Sequence, residues 1–165
     1  MNLTKRIESF ILSKNTRPEK RKIGVEVECM FYNKNMRRLP VNLCDEFSSI
    51  ALLEIMKEYQ KNDSIKAGYS LEPGGQLEWA SPPFISLHEI NYHLQIHFRR
   101  VERVLTKQKL MHVDYALEPI YSPEDISLIN MEKYNLMHNR FVTSGRHGPW
   151  MMRNTTSIQI NIDMS

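Results

Sequence analysis

The sequence is poor in cysteine and glycine, and it has no long apolar run. Its 165 residues include 2 cysteines and 6 glycines, so neither a disulfide framework nor a four-thiolate zinc site can form. No apolar run approaches the roughly 18 residues that span a bilayer. The start of the chain is basic and carries no apolar signal-peptide core. Membrane insertion and export are therefore not expected, and the predicted compartment is the cytoplasm.

A strong excess of one charge is also missing. The chain has 22 Lys and Arg against 19 Asp and Glu, a net charge of +3, which is too small a bias to predict binding to nucleic acid. The apolar fraction of 41% and the charged fraction of 25% are ordinary for globular proteins, so extensive disorder is excluded. The length suits one domain.

The usual signatures of nucleotide binding and covalent catalysis are absent. The sequence has no P-loop, no G-x-G-x-x-G motif and no G-x-S-x-G motif, so a bound nucleotide would have to be held in another way. Cys29 falls on the apolar face of its segment, and Cys44 has no activating base nearby. His93 and His97 have helical spacing but no third ligand, which is more typical of packing than of a metal site.

The apolar periodicity predicts alternating helices and extended segments. Helices are predicted at 2–13, 45–60, 86–108 and 131–139, and extended segments at 22–32, 67–71, 76–80, 110–118 and 155–164. The Glu72-Pro73-Gly74-Gly75 sequence predicts a tight turn between two of these segments. Ser86 and Glu89 have the spacing of a helix capping box. This order predicts an α+β fold with an antiparallel sheet flanked by helices.

Three of the extended segments place polar side chains on one face, because alternate residues of a strand share a face. These side chains are Glu26 and Glu28; Glu72, Gln76 and Glu78; and Gln159, Asn161 and Asp163. If the segments are neighbours, four carboxylates converge and raise each other's pKa. Mg²⁺ would relieve that conflict, and two or more such ions could clamp a polyphosphate.

A solvated sheet face is the competing interpretation of this pattern. Alternating glutamates on a strand are common on surfaces that contact only water. Gly24 and the Pro73-Gly74-Gly75 corner favour a site, because glycine at such places lets a ligand approach the backbone closely.

Four sequence motifs occur in an order that resembles a known family. They are G-V-E-V-E at 24–28, S-L-E-P-G-G-Q-L-E-W-A-S at 70–81, K-Y-N-L-M at 133–137, and M-M-R-N-T-T-S-I-Q-I-N-I-D at 151–163. Together they resemble the N-terminal half of a glutamate–cysteine ligase of the plant and proteobacterial type. The resemblance implies a glutamine-synthetase-like catalytic fold. It also implies that ATP phosphorylates the γ-carboxylate of L-glutamate and that the amine of L-cysteine then attacks, the first step of glutathione biosynthesis.

The resemblance also implies roles for individual residues. The implied Mg²⁺ ligands around the ATP phosphates are Glu26, Glu28, Glu72, Glu78 and Gln159. Gln159 and Asn161 belong to the nucleotide site, and Arg153 joins the four glutamates as a catalytic residue, although Asn154 stands where the family arginine is usual. The residues implied at the glutamate site are Gln76, Tyr134, Met137 and Arg140.

The family enzymes are more than twice as long as this chain. Residues 1–165 are therefore predicted to be a single, incomplete catalytic domain that is inactive alone. The expected partners are ATP, L-glutamate and L-cysteine, with a homo-oligomer of the full-length enzyme left open. Two other functions also stay open: a ligase that joins glutamate to another amine, and a module that binds ATP or glutamate without turnover.

Overall fold

The computed structural model describes residues 2–164. The α-helices are α1 (Leu3–Leu12), α2 (Ser49–Tyr59), α3 (Leu87–Gln108), α4 (Glu132–Ser144) and α5 (Gly148–Arg153). The strands are β1 (Ile23–Cys29), β2 (Phe31–Asn33), β3 (Gly68–Leu71), β4 (Leu77–Ala80), β5 (Leu110–His112) and β6 (Ile158–Ile162). Single 3₁₀ turns lie at Pro18–Lys20 and Pro123–Asp125. Between residues 2 and 164, no helix is both long and apolar enough to span a membrane.

Four strands form one antiparallel sheet in the order β3-β4-β1-β6. In this sheet Glu28 of β1 lies opposite Glu78 of β4, and Glu26 lies opposite Gln159 of β6. Strands β2 and β5 form a separate antiparallel pair. The predicted α+β class with an antiparallel sheet and flanking helices is therefore confirmed, whereas the glutamine-synthetase-like architecture stays a prediction.

One face of the sheet carries the hydrophobic core. Val27 lies opposite Trp79 and Cys29 lies opposite Leu77, and all four side chains are buried. Helices α2 and α3 supply further buried residues of the same cluster, among them Leu52, Met56, Val101, Val104 and Leu105. Cys29 is therefore a core thiol, as predicted, and the glutamates are left on the opposite face.

Several element boundaries differ from the predictions. The segment 22–32 breaks at Met30, because the chain leaves the large sheet there and continues as β2 in the small one. Helix α2 begins after Ser48, whose hydroxyl accepts the Ala51 N–H, rather than near Asp45. The Ser86 hydroxyl accepts the N–H of His88, and no reciprocal bond from Glu89 accompanies it within residues 2–164.

The region 131–157 is more helical than predicted. Helix α4 continues to Ser144, beyond the predicted end at residue 139, and α5 begins at Gly148, where no helix is predicted. The two helices pack closely, since a Cβ at Gly148 would lie 2.4 Å from the Cβ of Phe141. Only a residue without a side chain allows α4 and α5 to come this close.

The histidine pair of α3 has a packing role, as the spacing favoured. The His97 ring stacks on Trp79 with centroids 5.3 Å apart, and its Nδ1 lies 3.1 Å from the Tyr69 hydroxyl. His93 stacks on Phe84. Burial lowers the pKa of His97 from its ordinary value of 6.5 to about 3, so the core holds this ring in its neutral form.

The buried histidine predicts a loss of stability in acid. Because the folded pKa of His97 is lowered, the unfolded chain takes up a proton first, and stability falls as the pH drops below about 6.5. The unfolding free energy of the wild type should decrease between about pH 7 and about pH 4.5. We expect this decrease to be smaller by roughly 2–3 kcal/mol in His97→Gln. Urea unfolding at both pH values measures this. His88→Gln, at an exposed position, is the control, and equal acid losses in wild type and His97→Gln would contradict the prediction.

The turn between β3 and β4 packs tightly against α2 and α5. Gly75 has φ of +81°, and its N–H donates to the Glu72 carbonyl oxygen. A Cβ on Gly75 would lie 2.8 Å from Ser49 Oγ, and a Cβ on Gly74 would lie 2.5 Å from the Cα of Arg153. Both glycines are therefore required by geometry, and the predicted tight turn is confirmed.

We expect Gly74→Ala to lower the unfolding free energy by about 2–3 kcal/mol. The added methyl group would meet backbone atoms of Arg153, which cannot move aside as a flexible side chain can. Gly145→Ala is the matched control, because nothing lies within 4 Å of a Cβ built there. Chemical denaturation compares the two variants, and equal losses would show that the corner tolerates a side chain.

Candidate metal centre

Three carboxylates meet on the polar face of the large sheet. Glu28 and Glu78 lie opposite each other on β1 and β4, and Glu72 directly follows β3. Oxygen atoms of the three side chains all lie within 4.8 Å of one another. The Ser70 hydroxyl donates to Glu78 Oε1 at 2.7 Å and holds that carboxylate in place. The predicted convergence of carboxylates is therefore present for these three residues.

The charges of this cluster oppose one another. Burial, followed by the charges of Glu78 and Glu28, raises the pKa of Glu72 from 4.5 to about 7. Burial also raises the pKa of Glu28, and the charge of Glu78 adds to the increase, although hydrogen bonds from Ser157 oppose it. A cation among these oxygens would reverse both shifts, because it favours the ionised carboxylates.

Glu26 lies beside the cluster rather than in it. Its Oε1 accepts a hydrogen bond from the Asn161 amide at 3.0 Å, and it does not belong to the group of three carboxylates. Gln159 is closer to the cluster, since a hydrogen bond from its side chain lowers the pKa of Glu28. The metal role of Glu26, the metal and nucleotide roles of Gln159 and the nucleotide role of Asn161 stay predictions.

Gln76 and Arg153 have other partners. The Gln76 side chain is buried, and its amide donates to the Thr155 carbonyl oxygen at 3.0 Å. The Arg153 guanidinium donates to the Pro123 carbonyl oxygen at 2.7 Å and lies 3.4 Å from a ring nitrogen of His138. Within residues 2–164, no hydrogen bond or ion pair joins either side chain to the three carboxylates.

The α4 residues that are predicted at the glutamate site differ in whether they contact the surroundings of Glu72. The Tyr134 hydroxyl donates to the Leu71 carbonyl oxygen at 3.3 Å, next to Glu72. Lys133 lies over the Tyr134 ring, and its charge opposes the increase in the pKa of Glu72. Met137 and Arg140 are exposed, and the described part of the chain shows no bond between them and the carboxylates. Their roles at a glutamate site stay predictions.

A buried ion pair behind the turn was not predicted. Arg38 Nη1 lies 2.6 Å from Glu118 Oε2, and the Tyr32 hydroxyl donates to the same oxygen at 2.5 Å. Arg38 also donates to the carbonyl oxygens of Gly74 and Arg153, each at 3.2 Å. This network fixes the corner after Glu72. No local sequence signal marks this network, because its members are brought together from distant parts of the chain.

The donor set fits a hard divalent cation. Carboxylate oxygens, with the Ser70 and Ser157 hydroxyls and the Gln159 amide next to them, are the ligand types that Mg²⁺ takes. Neither cysteine nor histidine belongs to the cluster, which disfavours zinc.

The fold and the site together define a class of protein, an α+β sheet protein with an acidic centre suited to a divalent cation. The chain belongs to a particular family within this class, because the family model described as Glutamate-cysteine ligase family 2 (GCS2) matches residues 22–165. The resemblance of the four motifs is thereby confirmed.

Curated relatives agree with the family. The chain is 29% identical over 156 residues to a protein of Brassica juncea named glutamate–cysteine ligase, chloroplastic. It is 31% and 30% identical over 100 residues to proteins of the same name from Arabidopsis thaliana and Nicotiana tabacum. These matches cover 89%, 61% and 61% of this chain but only 30%, 19% and 19% of the relatives.

The names of these relatives correct one prediction. All three are called chloroplastic, so the predicted cytoplasmic location is wrong. That prediction relied on the lack of an apolar leader, and plastid import does not require one, because transit peptides are amphipathic and basic.

Proposed function

We propose that this chain supplies the metal- and phosphate-binding part of a glutamate–cysteine ligase. The proposed reaction is the ATP-dependent ligation of the γ-carboxylate of L-glutamate to the amine of L-cysteine, the first step of glutathione biosynthesis. The observation that carries the proposal is the convergence of Glu28, Glu72 and Glu78 on one sheet face, in a chain that belongs to this ligase family.

The chemistry of amide formation explains why such a centre is needed. A carboxylate is a poor electrophile, so the γ-phosphoryl group of ATP is first transferred to a carboxylate oxygen of glutamate, and ADP leaves. The cysteine amine then attacks the carbonyl carbon of the acyl phosphate. A C–N bond forms, the C–O bond to phosphate breaks, and the amine loses a proton.

Glu28, Glu72 and Glu78 would hold Mg²⁺ in this reaction. When bound, Mg²⁺ neutralises phosphate charge and stabilises the charge that develops during phosphoryl transfer. The chain itself orients the ligands: Ser70 holds Glu78, and Ser157 bonds to Glu28. Reaction through an acyl phosphate needs no protein nucleophile, and Cys29, which lies on β1, is buried in the core.

The remaining parts of the site are proposed to lie outside this chain. The chain spans 30% of the length of the Brassica juncea relative. Among the described residues, none is identified that would select the amine substrate. We propose a single, incomplete catalytic domain in a glutamine-synthetase-like fold. Residues 1–165 alone are then expected to bind Mg²⁺ and ATP phosphates without turnover.

Calorimetric titration of the chain with ATP tests this function. We expect binding when Mg²⁺ is present and none in a chelator, because the cation bridges carboxylates and phosphates. Glu78→Gln should weaken the Mg²⁺-dependent binding at least about tenfold. Glu54→Gln on the exposed surface of α2 is the control and should bind like wild type. The proposal would be refuted if a cooperatively folded chain bound ATP equally well with and without Mg²⁺, and equally well with and without the Glu78→Gln substitution.

A further inference from the structure

Helix α1 carries an apolar face that the fold leaves uncovered. The face consists of four apolar residues at helical spacing, Leu3, Ile7, Phe10 and Ile11. These four residues are 44–69% exposed, and none of the residues Leu3–Leu12 is buried. The Asn2 side chain caps the helix by accepting the Lys5 N–H at 2.9 Å, so local bonding favours this helix where tertiary packing does not.

The same end of the chain is strongly basic. Residues 1–22 contain seven Lys and Arg against two Glu, a net charge of +5, whereas the whole chain carries +3 and residues 23–165 therefore carry −2. Six of the basic residues are exposed: Lys5, Arg6, Lys14, Arg17, Lys20 and Lys22. Positive charge is thus concentrated next to the apolar face of α1 rather than spread over the surface.

Two of these charges border the apolar face itself. Arg6 lies one turn before Phe10, and the Lys14 ammonium group lies over the Phe10 ring, 5.4 Å from its centre. Long basic side chains lay their stems along apolar surface and keep their charge in a polar layer. An apolar face with basic residues at its border is typical of helices that lie in the interface of a membrane.

We propose that α1 and the basic segment after it, residues 14–22, bind the surface of a bilayer that contains anionic lipids. The apolar side chains would enter the boundary between headgroups and acyl chains, and the basic residues would contact the lipid headgroups. Ten residues form a helix about 15 Å long, half of the roughly 30 Å hydrocarbon core. Helix α1 would therefore lie on the bilayer and not cross it. This binding is separate from the ligase reaction.

Charge favours a lipid surface over the other partners. A second copy of the chain would bring two segments of charge +5 together, which opposes self-association through α1. Nucleic acid would suit the basic segment but would leave the aliphatic residues Leu3, Ile7 and Ile11 in water. The family model matches residues 22–165, so α1 precedes the residues on which the proposed ligase reaction depends.

Flotation with lipid vesicles tests the binding, since aggregated protein does not float. The 165-residue chain is mixed with vesicles of phosphatidylcholine, either pure or with added phosphatidylserine. We expect at least about 30-fold tighter binding to the anionic vesicles, because each basic residue near such a surface contributes on the order of fivefold in affinity. Raising NaCl from about 0.1 M to about 1 M should release most of the chain, because salt screens these charges.

Two substitutions that add the same charge separate insertion from electrostatic attraction. Ile7→Glu places a carboxylate on the apolar face and should weaken binding to the anionic vesicles at least about 30-fold. Ser9→Glu places it on the opposite face of the same helix and should weaken binding only about fivefold. Both variants should unfold in urea like wild type, because both positions are exposed.

Equal affinity for the two kinds of vesicle would overturn the proposal. Equal weakening by Ile7→Glu and Ser9→Glu would also overturn it, because the apolar face would then take no part. Single-stranded RNA is the probe for that outcome, and a general polyanion site would bind it as tightly as it binds the anionic vesicles. None of these readouts depends on Mg²⁺ or on the glutamates of the sheet, so membrane binding and the ligase site can fail separately.

Discussion

Replacing Arg38 with methionine is expected to lower the free energy of unfolding by about 3–5 kcal/mol. Arg38 is buried and is the ion-pair partner of Glu118, whose own side chain is fully enclosed. Methionine fills similar volume but leaves the Glu118 charge without a counter-ion. It also removes the hydrogen bonds to the carbonyl oxygens of Gly74 and Arg153.

Urea denaturation measures this loss, and the neighbouring residue supplies a matched control. Arg37 pairs with Glu46 at 3.4 Å on the surface, so Arg37→Met should cost no more than about 1 kcal/mol. The double variant Arg38→Met, Glu118→Gln should recover part of the loss, because no buried charge is then left. Equal effects of Arg37→Met and Arg38→Met would show that the buried network contributes little.

Glu72→Gln is expected to change metal binding and stability in opposite directions. Removal of one of three clustered carboxylates should weaken Mg²⁺ binding on the order of 100-fold. The same change should stabilise the metal-free chain at about pH 8 by about 1–2 kcal/mol, a figure reduced for solvent screening. The stability rises because the cost of burying the Glu72 charge, and its repulsion from Glu78 and Glu28, are absent in the variant. Metal binding weakens because one charged ligand is lost.

The pH dependence follows from the raised pKa of Glu72. The folded value of about 7 lies above the ordinary 4.5, so its contribution to stability is complete below about pH 4.5 and is lost as the pH rises through about 7. In a chelator, the advantage of Glu72→Gln over wild type should therefore grow across this interval. Thermal unfolding at several pH values measures it. If Glu72→Gln were less stable than wild type at every pH, the raised pKa of Glu72 would be contradicted.

Local sequence pattern predicted the side-chain faces but not the partners. Alternation in β1 places Val27 and Cys29 in the core and Glu26 and Glu28 on the other face, because a strand has a period of two. The Pro-Gly-Gly corner likewise predicts the β3-β4 hairpin. The register of β1 against β4 depends on packing between distant segments, so the sequence could not show that Glu28, rather than Glu26, joins Glu72 and Glu78.

The residues that escaped prediction are those with distant partners. Arg38 and Glu118 come together only because the chain folds back behind the corner, and nothing local distinguishes them from surface charges. Gln76 and Arg153 have residue types that suit a substrate site, yet in this structure they bond to backbone oxygens of Thr155 and Pro123. The family resemblance predicts which residues belong to the site and what each one does. It does not predict the hydrogen bonds that each side chain makes in the fold.

The central claim is that Glu28, Glu72 and Glu78 hold a divalent cation. Mn²⁺ replaces Mg²⁺ at such oxygen sites and broadens nearby NMR signals, so titration of the ¹⁵N-labelled chain with substoichiometric Mn²⁺ locates the ion directly. We predict that the amide signals of residues 28, 72 and 78 broaden first, and that excess Mg²⁺ restores them. Broadening that begins elsewhere, or that spreads evenly over the exposed acidic residues, would contradict the account.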